Sequence, residues 1–163
     1  MFLSKARGKK NVLCIVDVQT GFVSHEYARD GVKEEIDNAI QRGWTIVVLE
    51  YVGYGRTDKG IRDKMANYDK VFYALKNDDN GADELITILS HLGVGSPREV
   101  RFCGVNTCCC VRDTAYNYGR KVRNYPKVPV ISFSKEGTAC CCDSGAKCKQ
   151  YLGRSIEESL RRE

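Results

Sequence analysis

Apolar positions in this chain come in two kinds of block that alternate from end to end. The first kind is an unbroken run: Asn11-Val12-Leu13-Cys14-Ile15-Val16-Asp17, Thr45-Ile46-Val47-Val48-Leu49-Glu50-Tyr51, the shorter Lys70-Val71-Phe72-Tyr73-Ala74-Leu75, about Glu99 to Cys103, and Val128-Pro129-Val130-Ile131-Ser132-Phe133. Continuous hydrophobicity with many β-branched side chains suits a strand covered on both faces, as in a parallel sheet. The second kind repeats at helical spacing. Val32, Ile36, Ala39 and Ile40 predict a helix from about Asp30 to Arg42, with Lys33, Glu34, Glu35 and Asp37 on the opposite face. Leu85, Ile86, Leu89 and Leu92 predict another from Asp83 to Leu92, and a third is entered through Thr107 and ends near Gly119. The charged stretch ending at Ser155–Leu160 predicts a terminal helix.

Such alternation, with no break in composition, predicts one three-layer α/β/α Rossmann-like domain over residues 1–163, with a mostly parallel sheet and right-handed crossovers. Residues 52–69 form a long, Gly-punctuated, charged connection, and a segment of that length is expected to be functional. Asn77-Asp78-Asp79-Asn80-Gly81 reads as a turn.

Composition narrows the class without changing this plan. The chain has 163 residues, 42% hydrophobic and 29% charged, as in ordinary soluble domains. The formal net charge is +5, and the excess lies late: residues 1–100 carry 14 basic and 15 acidic side chains, residues 101–163 carry 12 and 6. No aromatic-basic interleaving or nucleic-acid motif accompanies it, so a solvated face is expected and nucleic acid is not a predicted partner. No apolar run approaches a membrane span, and Met1–Lys10 lacks the apolar core of a signal peptide, so no membrane association and a cytoplasmic location are expected. Nine cysteines, odd in number and including two consecutive triplets, read as reduced thiols rather than a disulfide framework.

Candidate chemistry sits at the ends of the apolar runs. Asp17 closes the first, Lys76 follows the third, and Cys110 lies beyond the fourth after a turn containing Gly104. In a parallel sheet these positions converge on one edge, where α/β proteins place their ligands. Thr107 is a suitable N-cap, and a thiol in the first helical turn sits where the helix end favours a thiolate. A carboxylate can take the thiol proton, and an ammonium can hold the carboxylate ionised. Neither His25 nor His91 occupies a strand end, so a Cys–Asp–Lys set is favoured over a Cys–His pair.

Three motifs carry a resemblance to a known family. Asp17-Val18-Gln19-Thr20-Gly21-Phe22 resembles an Asp-x-Gln-x-x-Phe motif; Lys76 is similar in place to a lysine after the third strand. Gly104, Val105, Thr107, Cys110, Val111, Thr114 and Ala115 match Gly-Val-x-Thr-x-x-Cys-Val-x-x-Thr-Ala. The chain thus resembles, from about residue 11 to 119, the isochorismatase-like cysteine hydrolases, which include nicotinamidase, N-carbamoylsarcosine amidase and ureidoacrylate amidohydrolase. The resemblance implies Cys110 as nucleophile, Asp17 as general acid/base and Lys76 as charge partner. It also implies a cis peptide at Val105–Asn106, an oxyanion hole from the backbone N–H groups of Asn106 and Cys110, and Gln19 and Phe22 near the substrate.

The implied reaction is hydrolysis of a small-molecule amide or ureido C–N bond through a thioester, with no cofactor and no metal. Residues 49–75 contain no histidine, so the metal site of metal-dependent nicotinamidases is not expected. Family habit implies a homo-oligomer. From the residues themselves, Tyr54 and Arg56 in the long connection are candidates for meeting an aromatic or carboxylate group. Cys108 and Cys109 read as packing, with one able to form a reversible disulfide under oxidation. Cys140, Cys141, Cys142 and Cys148 lack the paired spacing of a zinc site. The alternative class is a non-catalytic protein of the same fold with a thiol-rich binding or redox-responsive role.

Overall fold

The computed structural model describes residues 11–140. Its elements run β1 (Asn11–Val16), α1 (His25–Gln41), β2 (Thr45–Tyr51), α2 (Lys59–Met65), β3 (Val71–Lys76), α3 (Ala82–His91) and β4 (Glu99–Val105). A π-helical turn (Thr107–Val111) then leads into α4 (Arg112–Val122), and β5 (Val130–Ala139) follows. The strands form one sheet in the order β3-β2-β1-β4-β5. Every neighbouring pair is parallel.

The unbroken apolar runs are explained by burial on both faces. Val12, Cys14 and Val16 of β1 join Val47 and Leu49 of β2 and Val100 and Phe102 of β4 under α3 and α4, against Leu85, Leu89, Ala115 and Tyr118. The alternate residues Leu13, Ile15, Ile46, Val48, Cys103 and Val105 face the other way, against Val32, Ile36 and Ala39 of α1 and Ile61 and Met65 of α2. Each fully buried side chain of this size contributes about 1.5–3 kcal/mol of transfer free energy. The central strands are therefore the best sealed part of the molecule, and the polar residues at their carboxyl ends are held on a stiff base.

Several boundaries differ from the sequence expectation, each for a physical reason. Helix α1 begins at His25 rather than Asp30, because its buried stripe runs back through Ala28 to His25, whose Nδ1 lies 2.7 Å from the carbonyl of Phe22. The charged residues and Gly31 in that first part hide the stripe. Gly31 is needed there: a Cβ would sit 2.0 Å from the carbonyl oxygen of Glu136 in β5. Gly31→Ala, ordinarily favourable by about 1 kcal/mol within a helix, should instead destabilise by about 1–3 kcal/mol through overpacking. The urea midpoint of the variant measures this, and a rise would refute the close packing of α1 on β5.

The connection 52–69 contains helix α2, capped by the Asp58 carboxylate, which accepts from the N–H groups of Gly60 and Ile61. Lys76 ends β3 rather than following it. Gly104 lies inside β4 and not in a turn. Its φ of 119° and a virtual Cβ 2.0 Å from Val16 O both exclude a side chain. Strand β5 starts at Val130 rather than Val128 and continues to Ala139, with a register shift against β4 between Phe102 and Gly104. The expected terminal helix, and Cys141, Cys142 and Cys148, lie outside the described residues. Among the described residues no helix is long and apolar enough to cross a membrane.

Candidate active site

The carboxyl ends of β1, β3 and β4 bring the three chemistry-bearing side chains together. Asp17 leaves β1 with φ 54°, its N–H donating to Leu49 O at 3.0 Å, so the chain turns and the carboxylate is presented at the sheet edge. Lys76 arrives from β3, two strands away, and its Nζ lies 2.8 Å from Asp17 Oδ2. Both side chains are wholly sealed from solvent. Nζ also donates to Asp78 O at 2.9 Å and sits 4.2 Å above the centroid of the Tyr51 ring. The ammonium is thus enclosed by a carboxylate, a carbonyl and an aromatic face.

Neither Asp17 oxygen accepts a well-directed hydrogen bond among the described residues, so the contact with Lys76 is a charge contact and the oxygens keep acceptor capacity. Burial raises the Asp17 carboxyl above its ordinary range, while Lys76 and the Cys110 thiol pull the other way and Asp79 adds to the rise. An acid so placed is closer to the proton affinity of a working general base than a free carboxylate is.

Cys110 is buried in the π-helical turn, and the same turn sets its surroundings. The peptide bond Val105–Asn106 ahead of it is cis, as the family resemblance implies. Asn106, not Thr107, is the capping residue. Its carbonyl accepts from the N–H groups of Cys109 (3.1 Å) and Val111 (3.2 Å). The Thr107 hydroxyl is buried with no hydrogen-bond partner among the described residues. Asn106 is held on its other side by Ser24, whose hydroxyl donates to Oδ1 at 2.5 Å.

The resting thiolate suggested by the helix start is not what this site favours. Burial, then the nearby Asp17 charge, push the Cys110 thiol far up; Lys76 opposes this and Asp79 reinforces it. Burial and two nearby carboxylates all favour the neutral thiol. These surroundings favour a protonated sulfur, and the thiol donates to Asp79 Oδ1 at 3.6 Å.

The proposed substrate contacts divide. Phe22 stacks on Tyr54, with centroids 4.2 Å apart and planes 5° from parallel, and both meet Tyr51 edge-on. These three rings form an aromatic wall beside Lys76. Gln19 does not belong to it: the residue is fully buried, its Nε2 donates to Tyr51 O and Gly55 O, and its Oε1 accepts from Tyr51 N. Its amide is consumed in holding the 51–55 loop beneath these rings. Arg56 is exposed, and its charge is felt at Tyr73 on β3.

Sequence reasoning missed Tyr51, Asp79 and Glu50. Asp79, exposed, places Oδ1 3.6 Å from the Cys110 sulfur, and its carbonyl accepts from Thr114 Oγ1 at 3.3 Å. It was concealed in an ordinary turn signal. Buried Glu50 accepts from both the N–H and hydroxyl of Thr57, closing the loop from below. Tyr51 was legible only as the last residue of a strand.

No family model and no curated protein matches the chain. Solved structures do, at low identity. The chain is similar to a nicotinamidase from Staphylococcus aureus, with 17% identity, TM-score 0.70, and coverage of 94% of this chain and 97% of that one. It is similar to an N-carbamoylsarcosine amidase from Thermoplasma acidophilum, at 20% identity, TM-score 0.67, and 91% and 93% coverage. An isochorismatase from Pseudomonas putida gives 16% identity, TM-score 0.68, and 91% and 84% coverage.

Proposed function

We propose that this chain, which has the isochorismatase-like fold, is a cysteine hydrolase that cleaves a C–N amide or ureido bond of a small molecule through a thioester on Cys110. The observation that carries the reading is the sealed Asp17–Lys76 pair at 2.8 Å, with the buried Cys110 thiol within reach of the Asp17 charge. The names of the amidase neighbours support the bond type.

The chemistry follows from the geometry. Asp17 takes the thiol proton as Cys110 Sγ attacks the carbonyl carbon. Lys76 keeps Asp17 ionised until then and offsets the negative charge that develops. The N–H groups of Asn106 and Cys110 are the donors for the oxyanion, and such a donor contributes about 3–4 kcal/mol to the transition state in other hydrolases. Asp17 then hands its proton to the departing nitrogen, and in the second half it draws a proton from water as that water attacks the thioester. Phe22, Tyr51 and Tyr54 form the wall against which a small planar or apolar group rests. A homo-oligomer is part of the same reading, supported by exposed Tyr73 and Leu75 on edge strand β3.

The test is a panel of small primary amides and N-carbamoyl compounds, followed by ammonia release and by acid quench with intact-mass detection of an acyl adduct. Turnover with an adduct on Cys110, both absent in Cys110→Ala, is the expected result. Turnover by Cys110→Ala at the wild-type rate would end the proposal. The pH profile gives a second check. Asp17 must be ionised to act, and its pKa is raised, so kcat/KM should fall on the acid side above the ordinary aspartate value of about 4. An acid limb at or below that value would remove Asp17 from the role of base.

A further inference from the structure

The turn that carries Cys110 holds a second thiol group that the hydrolytic chemistry leaves unused. Cys108 Sγ lies 2.8 Å from Cys140 Sγ and 3.8 Å from Cys109 Sγ. Cys108 is half-buried in the π-helical turn, and Cys140 is buried directly after the end of β5. The two residues are 32 apart in the chain. The approach is therefore made by the fold, through the parallel β4–β5 ladder that brings Ala139 beside Val105.

We propose that Cys108 and Cys140 form a thiol–disulfide exchange site, distinct from Cys110, that takes a low-molecular-weight disulfide and closes into an internal disulfide locking the nucleophile's turn to the end of β5. Half-buried Cys108 is the entry point. Its thiolate attacks one sulfur of the small disulfide, forming a mixed disulfide and expelling one small thiolate. The Cys140 thiolate then attacks the Cys108 sulfur, closing the internal S–S bond and expelling the second small thiolate. The two protons lost by the protein end on the two released thiolates, so two protein thiols are oxidised and one small disulfide is reduced to two thiols.

Other uses of the cluster fit less well. Among the described residues no group of three or more His, Cys, Asp or Glu side chains could hold a metal ion. Burial, with the neighbouring thiols of Cys140 and Cys109, holds the Cys108 proton on at neutral pH. Exchange through Cys108 is therefore slow. Cys109 is the control, since it neighbours Cys108 at a longer distance and lies on the same turn.

The experiment uses the full chain equilibrated in glutathione buffers of graded potential, quenched with acid, alkylated and digested with trypsin. A cross-link between the peptides 102–112 and 136–147 should appear on oxidation and vanish with dithiothreitol. It should be lost in Cys108→Ser and in Cys140→Ser. It should persist in Cys109→Ser and in the double variant Cys141→Ser/Cys142→Ser. In the oxidised wild type, amide hydrogen exchange across residues 107–111 should slow, and reduction should restore it. A cross-link that survives Cys140→Ser, or no cross-link at any potential, overturns the pairing. A cross-link that leaves exchange at 107–111 unchanged overturns the lock. Both readouts are independent of hydrolytic turnover, so the proposal stands or falls apart from the assignment of Cys110.

Discussion

Replacing Cys110 with alanine is expected to lower hydrolysis by about 10⁴–10⁶-fold, the range seen when the nucleophile of a covalent hydrolase is removed. The loss is chemical and not structural. Cys110 is nearly fully buried beside Val111 and Ala115 in the core under α3 and α4, so losing one sulfur atom leaves a small cavity, with a cost on the order of 1 kcal/mol. Asp17 would keep its contact with Lys76 but lose the thiol proton it is placed to receive. The measurement is single-turnover rate against unfolding midpoint on the same preparation. A variant that folds like wild type and no longer forms the acyl adduct is the expected outcome. A variant that keeps turning over would assign the chemistry elsewhere.

Lys76→Met should carry the largest cost to stability of any single change in the site, about 3–5 kcal/mol, because it strands the buried carboxylate of Asp17. The ammonium also donates to Asp78 O and lies over Tyr51, so its removal loosens the 76–81 turn as well. Asp17, already raised by burial, loses the charge that holds it down and shifts further toward its neutral form. Activity should therefore fall with stability, and the acid limb of the pH profile should move upward. Asp17→Asn in the Lys76→Met background removes the stranded charge, so the double variant should be more stable than Lys76→Met alone. Urea midpoints of the four proteins in the cycle measure this. Additive losses would mean that the pair is not coupled.

How much of this was legible beforehand differs between fold and site. Strands β1 and β2 were found nearly to the residue, because a strand buried on both faces announces itself as an unbroken apolar run. Helix α2 escaped because it is seven residues long and lies in a charged, Gly-marked stretch, where one capping carboxylate does what periodicity does elsewhere. Helix α1 was begun late because its first buried residue is a histidine. In the site, the sheet edge shared by Asp17, Lys76 and Cys110 is readable from the strand ends. The burial of Gln19 is not readable from the sequence, because the backbone groups that take up its amide are 32 and 36 residues away. Asp79 and the ionisation of Cys110 were out of reach for the same reason: each depends on groups from other strands.

Local chemistry along the chain determined the layer architecture, the parallel sheet and the order in which a carboxylate, an amine and a thiol are presented at strand ends. These follow from periodicity and burial, which are properties of neighbours in sequence. Only the tertiary structure brings Lys76 onto the buried carboxylate of Asp17, sets Asp79 against the Cys110 thiol and lays Cys108 against Cys140. Distances of a few ångströms between residues far apart in the sequence set those outcomes, and electrostatic energy in a sealed site depends on such distances.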